Sequence, residues 1–235
     1  MKLLIVLPIY NEQAILAANA RAVYDYCRQN FSDFKIVIAD NGSTDNSGTI
    51  GRNLAGRFPG IEYVFFKEKG KGNAWRQVFL ATKADIYIFM DIDLSVTPKQ
   101  VDRLVASILA GNNLALGSRF VTGAIVKRSV KRRLISWLYR LVAGLVLNLR
   151  VKDLQCGFKA LDNQAKELLN FTKDDGFFLD TELIFWARKQ GLKIEEIPVI
   201  WQENQSTPRK SKVKVVKTSC QYLKKIISLL FIDKK

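Results

Sequence analysis

Four short β-rich runs, each ending in a polar cluster and each followed by a helical pattern, constrain this chain more than any other feature. The runs are Leu3–Leu7, Lys35–Ala39, Glu62–Phe66 and Ile86–Met90, and a fifth, Asn113–Leu116, follows them. Helical patterns at 12–29, 45–57, 71–83 and 98–110 fill the intervals. Parallel strands need crossover connections, so this alternation predicts an α/β fold with a mostly parallel central sheet flanked by helices. The fourth helix is well marked: Thr97 can cap it, Pro98 suits its first turn, and Val101, Leu104, Val105 and Ile108 share one face before Gly111.

In such sheets ligands bind beyond the carboxyl ends of the strands. Pro8-Ile-Tyr-Asn-Glu12, Asp40-Asn-Gly-Ser-Thr-Asp45, Lys69-Gly-Lys-Gly-Asn73 and Asp91-Ile-Asp93 all fall there. Two carboxylates two residues apart at the end of a buried strand can aim at one Mg²⁺ or Mn²⁺, which keeps water or phosphate in its other positions. A solvated acidic loop is the plainer reading of an isolated Asp-x-Asp. Asp40 can accept hydrogen bonds from a nucleobase or ribose. The same stretch also suits an Asx turn with Ser43 or Thr44 capping the next helix. Gly70 and Gly72 let backbone approach phosphate at a helix start, with Lys69 and Lys71 adding charge, but the Gly-Lys-Ser/Thr ending of a Walker loop is missing.

Lys and Arg number 37 against 22 acids, a formal charge of +15 on 235 residues. Such a surface attracts anions. The excess gathers in 127–152 and 209–235. No RNP, zinc-finger or helix-turn-helix signature accompanies it, so a nucleic-acid partner is not expected. The chain has no histidine, which removes Ser-His-Asp chemistry and histidine metal ligands. Its three cysteines are odd in number and widely spaced, which fits a reducing compartment. The longest apolar stretch, Leu134 to Leu149, is interrupted by Ser136 and Arg140 and falls short of the roughly 20 residues of a membrane span. Any membrane contact is therefore expected to be peripheral.

Two helices suit such contact. Over 130–149, Arg132, Ser136 and Arg140 form one polar stripe on an otherwise apolar helix. That arrangement fits a phosphate head meeting a lipid chain, and equally a core helix with one solvated edge. In the tail, Val213, Val216, Cys220, Leu223, Ile227, Leu230 and Phe231 face one way, and Lys214, Lys217, Lys224 and Lys225 the other. This suits a helix lying on an anionic membrane or packed on the domain. The expected division is 1–205 as the catalytic-type domain and 206–235 as a basic amphipathic membrane-surface helix.

The ordered set of these motifs, with Gly117-Ser-Arg119, Leu154-Gln-Cys-Gly-Phe-Lys159 and Leu179-Asp-Thr-Glu-Leu183, resembles the family 2 glycosyltransferases of GT-A (Rossmann-like) fold. Within them it is most similar to the polyprenyl- and dolichyl-phosphate hexosyltransferases. The resemblance implies inverting transfer of a hexose from a nucleotide-sugar to a polyprenyl phosphate on the cytoplasmic face of a membrane. It implies that Pro8, Tyr10, Glu12, Asp40, Lys69, Lys71 and Gly72 line the nucleotide pocket, and that Asp91 and Asp93 hold Mg²⁺ or Mn²⁺. Arg119, Arg132 and Ser136 would grip the acceptor phosphate, and Gln155, Lys159, Asp180 and Glu182 would shape the sugar and acceptor side. Relatives often have Asp where Asn41 stands. Mannosyl enzymes commonly carry Gln at the position of Ser95, so UDP-glucose is favoured over GDP-mannose as donor. The family's late Gly-x-Ser-Lys element survives only as Ser211-Lys212. The alternatives are a family 2 enzyme acting on a saccharide or polysaccharide acceptor and, of another class, a basic nucleic-acid-binding module.

Overall fold

The computed structural model describes residues 1–127, 130–202, 222, 224–229 and 231, without the side chains of 127, 130–136 and 138. The chain runs β1 (Leu3–Ile9), α1 (Leu16–Asn30), β2 (Phe34–Asp40), α2 (Ser47–Arg57), β3 (Ile61–Phe65), α3 (Lys71–Ala81) and β4 (Ile86–Met90). A 3₁₀ turn at Pro98–Gln100 leads into α4 (Val101–Leu109), β5 (Leu114–Ser118), β6 (Ile125–Lys127) and α5 (Val130–Val146). Then come β7 (Phe158–Leu161), α6 (Asn163–Glu167), a 3₁₀ turn at Leu168–Phe171, α7 (Leu179–Lys189), β8 (Ile194–Pro198) and β9 (Ile200–Gln202).

Seven strands form one sheet in the order β3-β2-β1-β4-β7-β5-β8, and β6 pairs with β9 beside it. β1, β2, β3 and β4 are mutually parallel where they pair, as are β5 and β8. β7 is antiparallel to both β4 and β5. Every residue of β1 and β4 is buried, because helices cover both faces. Leu4 and Val6 enter one core with Trp75, Phe89 and Leu116; Leu3, Ile5 and Leu7 enter the other with Ile88 and Leu104. This two-sided burial is why the strands read as continuous apolar runs rather than alternating ones. Chain order reverses between β1 and β4, which opens the crevice of a doubly wound sheet at their carboxyl ends.

The mostly parallel α/β expectation holds, with local corrections. β7, in the middle of the sheet, and β6 are not among the strands read from the sequence. The segment over 194–202 forms two strands, β8 and β9, and that over 163–171 forms α6 plus a 3₁₀ turn. Thr97 precedes the 3₁₀ turn without a side-chain cap bond. Ser43 and Thr44 do not cap α2, which starts at Ser47; Asp45 Oδ1 accepts from Ser47 N at 2.9 Å instead.

In α5, Ala143 and Leu147 are buried, while Trp137, Leu141 and Leu145 stand exposed on the opposite side. Arg140 lies over the Phe120 ring. The tail is helical over 224–229. Ile226 and Leu229 are buried in the first core, and Tyr222 stacks against Tyr139 and Phe178. Lys225 pairs with Asp174. The docked face is thus Tyr222, Ile226 and Leu229, and Ile227 and Phe231 remain exposed. Lys225 is therefore not on a free basic face. Lys224 is exposed, and Val213, Lys214, Val216, Lys217, Cys220, Leu223, Leu230 and Ser211-Lys212 lie outside the described residues.

Candidate active site

Loops after β1, β2 and β3 are joined by hydrogen bonds that short polar side chains make with backbone. Asn11, in the left-handed region at φ 54°, accepts from Thr44 N at 2.7 Å, and its own N–H donates to Ser43 Oγ. Glu12 N donates to Ser47 Oγ at 2.8 Å. Pro8 pairs in register with Ala39 at the sheet edge, and Glu12 is buried nearby. Lys69 Nζ donates to the Tyr10 hydroxyl at 3.1 Å and sits over its ring. Asn41 Oδ1 accepts from Gly70 N at 2.5 Å.

Asp40 is fully buried. Ser43 N donates to its Oδ1 at 2.8 Å and the Tyr63 hydroxyl to its Oδ2 at 2.7 Å. Gly51 makes this possible, since a β-carbon there would lie only 2.4 Å from Tyr63 Cδ2. Burial, then the adjacent carboxylate, pushes the Tyr63 hydroxyl well above its ordinary pKa. In this structure Asp40 anchors the loop.

Gly70 and Gly72 admit protein backbone. A β-carbon on Gly70 would lie 2.5 Å from Asp175 O, and one on Gly72 would lie 2.5 Å from Gly176 O. Asn73 N donates to Asp175 O, and Arg76 pairs with the Asp175 carboxylate at 2.5 Å. The start of α3 is therefore clamped to the 174–176 segment. Lys71, its first residue, reaches across to Asp91 Oδ1 at 2.5 Å. Burial disfavours the Lys71 charge, but Asp91, with Asp180 and Asp93 behind it, prevails and raises its pKa.

Asp91 leaves β4 at the crevice. Its N–H donates to Gly157 O at 2.9 Å, and its carboxylate occupies the space a β-carbon on Gly157 would fill. The next turn is tight: Leu94 sits at φ 50°, and Ser95 N donates to Asp93 Oδ1 at 3.0 Å. β9 pins this turn through Gln202 N to Ser95 O, 2.9 Å. A small cleft open to solvent lies alongside, lined by Asp91, Ser95, Cys156, Gly157 and Trp201 among others.

Asp91 and Asp93 are hard oxygen donors at one turn, and a cationic ammonium already rests on Asp91. Their chemistry fits a divalent cation. Among the described residues no group of three or more Cys, Asp or Glu side chains is placed to hold a metal. The remaining ligands would come from water or a bound phosphate.

On the far side, Arg119 is engaged by Asp153: Nε to Oδ2 at 2.7 Å, Nη2 to Oδ1 at 2.8 Å, and its backbone N to Oδ2 at 3.0 Å. Burial raises the Asp153 carboxyl, but Arg119 outweighs it and holds the group below the usual carboxylate range. Lys159, buried in the middle of β7, pairs with Asp180 and lies over the Phe89 ring. Glu182 accepts from Lys173 N and Asp174 N, at 2.9 and 2.8 Å, and so holds the clamping segment; burial raises its pKa. Gln155 Nε2 is buried, with no hydrogen-bond partner of good geometry among the described residues. The side chains of Arg132 and Ser136 lie outside the described residues. Sequence reasoning missed Tyr63, Asp153, Gly157 and Asp175, each of which acts on a site residue through a contact distant in the chain, and Asp174, which bonds Glu182 from eight residues before it.

Residues 4–169 match the family model described as glycosyl transferase family 2. The chain is 29% identical over 208 residues to glycosyltransferase AglD of Haloferax volcanii, covering 86% of this chain and 33% of that protein. It is 28% identical over 221 residues to dolichyl-phosphate beta-glucosyltransferase of Saccharomyces cerevisiae (85% of this chain, 66% of that one). It is equally 28% identical over 210 residues to polyprenol monophosphomannose synthase of Mycolicibacterium smegmatis (86% and 78%). The chain thus spans 33% and 66% of the first two. In fold it is similar to glucosyl-3-phosphoglycerate synthase from Mycobacterium tuberculosis in complex with Mn²⁺, UDP and glucosyl-3-phosphoglycerate, with a TM-score of 0.71 at 21% identity, covering 97% of this chain and 79% of that one. A family match over most of the chain, on a doubly wound sheet whose reversal point carries the paired aspartates, makes this chain a member of glycosyl transferase family 2.

Proposed function

We propose that this chain transfers a hexose from a nucleotide-sugar to a polyprenyl phosphate, with inversion, at an anionic membrane surface on the cytoplasmic face. The observation that carries the reading is Asp91, seated over Gly157 in the crevice at the reversal point with a cation against its carboxylate. The relatives named for glucosyl and mannosyl transfer to polyprenyl phosphates support the substrate class. Ser95, lining the pocket beside Asp91, favours glucose and hence UDP-glucose; GDP-mannose is the other donor to test.

Asp91 and Asp93 would hold Mg²⁺ or Mn²⁺, which when bound neutralises charge on the donor's diphosphate. Tyr10, Glu12, Asp40 and Lys69 belong to the loops that would enclose the nucleotide. Lys71 and Lys69 would stabilise the leaving nucleoside diphosphate as the C1–O bond breaks and its electron pair moves to the phosphate. An acceptor phosphate oxygen forms the new bond to C1 from the opposite side. That oxygen is already ionised, so no histidine base is needed. The residues that would form the acceptor side are Arg119, Arg132, Ser136, Gln155, Lys159, Asp180 and Glu182. Gln155 Nε2, buried without a hydrogen-bond acceptor among the described residues, is a donor that a phosphate oxygen would satisfy. Free, buried Cys27 and Cys156, both pushed up to about 12 by burial, suit a reducing compartment.

The test is transfer of labelled sugar from UDP-glucose and from GDP-mannose to a short-chain polyprenyl phosphate, with a soluble saccharide as the competing acceptor. Asp91→Ala and Asp93→Ala are expected to lower turnover by at least ~10²-fold while the fold persists. Undiminished turnover in both would remove the metal assignment, and transfer to the saccharide alone would remove the acceptor.

A further inference from the structure

We infer that Lys71 is an exchangeable counter-ion, holding Asp91 in the place of a divalent cation and passing to the donor's diphosphate when that cation arrives. The inference rests on the proposed reading of the site. The Lys71 ammonium lies 2.5 Å from Asp91 Oδ1. It is caged by two aromatic faces, 4.9 Å from the Phe89 ring centre and 5.0 Å from that of Phe177. Asp93, the other candidate ligand, and Asp180 add to the negative field around it. Asp180 is already paired with Lys159, and the carboxylate that Lys71 pairs with is Asp91.

The backbone end of Lys71 is fixed and only its tip is free to travel. Gly70 and Gly72 on either side are packed against the backbone of Asp175 and Gly176. Asn73 N and Arg76 tie the following turn to the same segment. The four-carbon stem therefore swings from an anchored position at the start of α3, where the helix end also favours an anion.

A divalent cation binds a carboxylate oxygen at about 2.0–2.2 Å. It cannot share Asp91 Oδ1 with an ammonium at 2.5 Å, because two like charges would then stand almost in contact. The metal alone must displace the lysine into solvent or aromatic surroundings. With a nucleoside diphosphate present, the displaced ammonium gains phosphate oxygens. Metal and nucleotide consequently favour each other's binding, and the coupling is reciprocal.

The test is Mn²⁺ binding followed by electron paramagnetic resonance, with and without UDP, for the wild type, Lys71→Met and Lys71→Arg. Methionine keeps the apolar stem between the rings and removes the charge. Lys71→Met is expected to bind Mn²⁺ alone about 10-fold more tightly, and the enhancement of Mn²⁺ binding by UDP is expected to shrink about 10-fold, within the usual range of couplings. Lys71→Arg should keep the wild-type pattern, and thermal melts should show all three folded. Unchanged or weakened Mn²⁺ binding by folded Lys71→Met would overturn the inference and make Lys71 a support for Asp91, leaving the proposed function intact. If the wild type binds no Mn²⁺ even with UDP, the metal reading itself falls, and the exchange with it.

Discussion

Asp91 has its position because a residue 66 places later has no side chain. Gly157 accepts the Asp91 N–H at 2.9 Å and leaves the carboxylate the volume that a β-carbon would take. The backbone of Gly157 is not in the left-handed region, so alanine brings no conformational strain of its own. Gly157→Ala must therefore displace the carboxylate or part β4 from β7. We expect a turnover loss on the order of 10²-fold, as for an ångström of misplacement. Overpacking should cost about 1–3 kcal/mol of stability. Kinetics beside urea melts would separate the two, and a variant with normal turnover would show that Asp91 is not held there. Arg119 and Asp153 make a different argument, about acid. The folded carboxyl is depressed by Arg119, so its contribution to stability is complete above the unfolded pKa of about 3.9 and fades as pH falls through the lower folded value. Arg119→Ala should cost about 3–5 kcal/mol at neutral pH, because it strands a buried carboxylate. It should also flatten the part of the acid limb below about pH 4. Equilibrium melts from pH 3 to 7 would check both, and an unchanged acid limb would mean that the pair is not what acid breaks.

At the scale of elements, the sequence revealed whatever is local. β1, β2 and β4 are runs of apolar residues buried on both faces, and α4 carries its buried residues at helical spacing, so each was legible where it stands. β7 was hidden because it has four residues and one of them is Lys159, which reads as surface. Only tertiary structure supplies the Asp180 partner that lets a lysine lie in the middle of a sheet. The paired aspartates were legible as a strand-end motif. What holds them was not, since Gly157, Lys71 and Trp201 reach that turn from three other elements. The glycines around Lys71 looked like a phosphate cradle, and they accommodate the 175–176 backbone instead. Helical periodicity gave α5 and the tail but not the orientation of their apolar residues. In the tail, burial chose Tyr222, Ile226 and Leu229 over the Ile227 and Phe231 face.

For the whole molecule, that orientation leaves an apolar surface exposed among the described residues. Ala143 and Leu147 turn α5 toward the core, which sends Trp137, Leu141 and Leu145 directly outward; Leu145 is 74% exposed. On the tail helix, which meets α5 through Tyr222 and Tyr139, Ile227 and Phe231 are also exposed, Phe231 at 68%. Among the described residues no helix is long and apolar enough to cross a membrane. A formal charge of +15 adds attraction to anionic headgroups, and tryptophan suits the interface. Fully burying a leucine is worth about 1.5–3 kcal/mol, so Leu141→Glu with Leu145→Glu removes most of what α5 would contribute. Sedimentation with vesicles of phosphatidylcholine and phosphatidylglycerol should show wild-type binding that weakens with salt. The double variant should bind at least ~10-fold less well. Its thermal shift with UDP and Mn²⁺ should stay unchanged, since neither leucine belongs to the crevice. Equal vesicle binding by both proteins would place the membrane elsewhere. A wild-type dimer that the substitutions convert to a monomer would assign the face to a second copy of the chain, and the route from membrane to Gln155 and Arg119 would have to be sought on another side of the sheet.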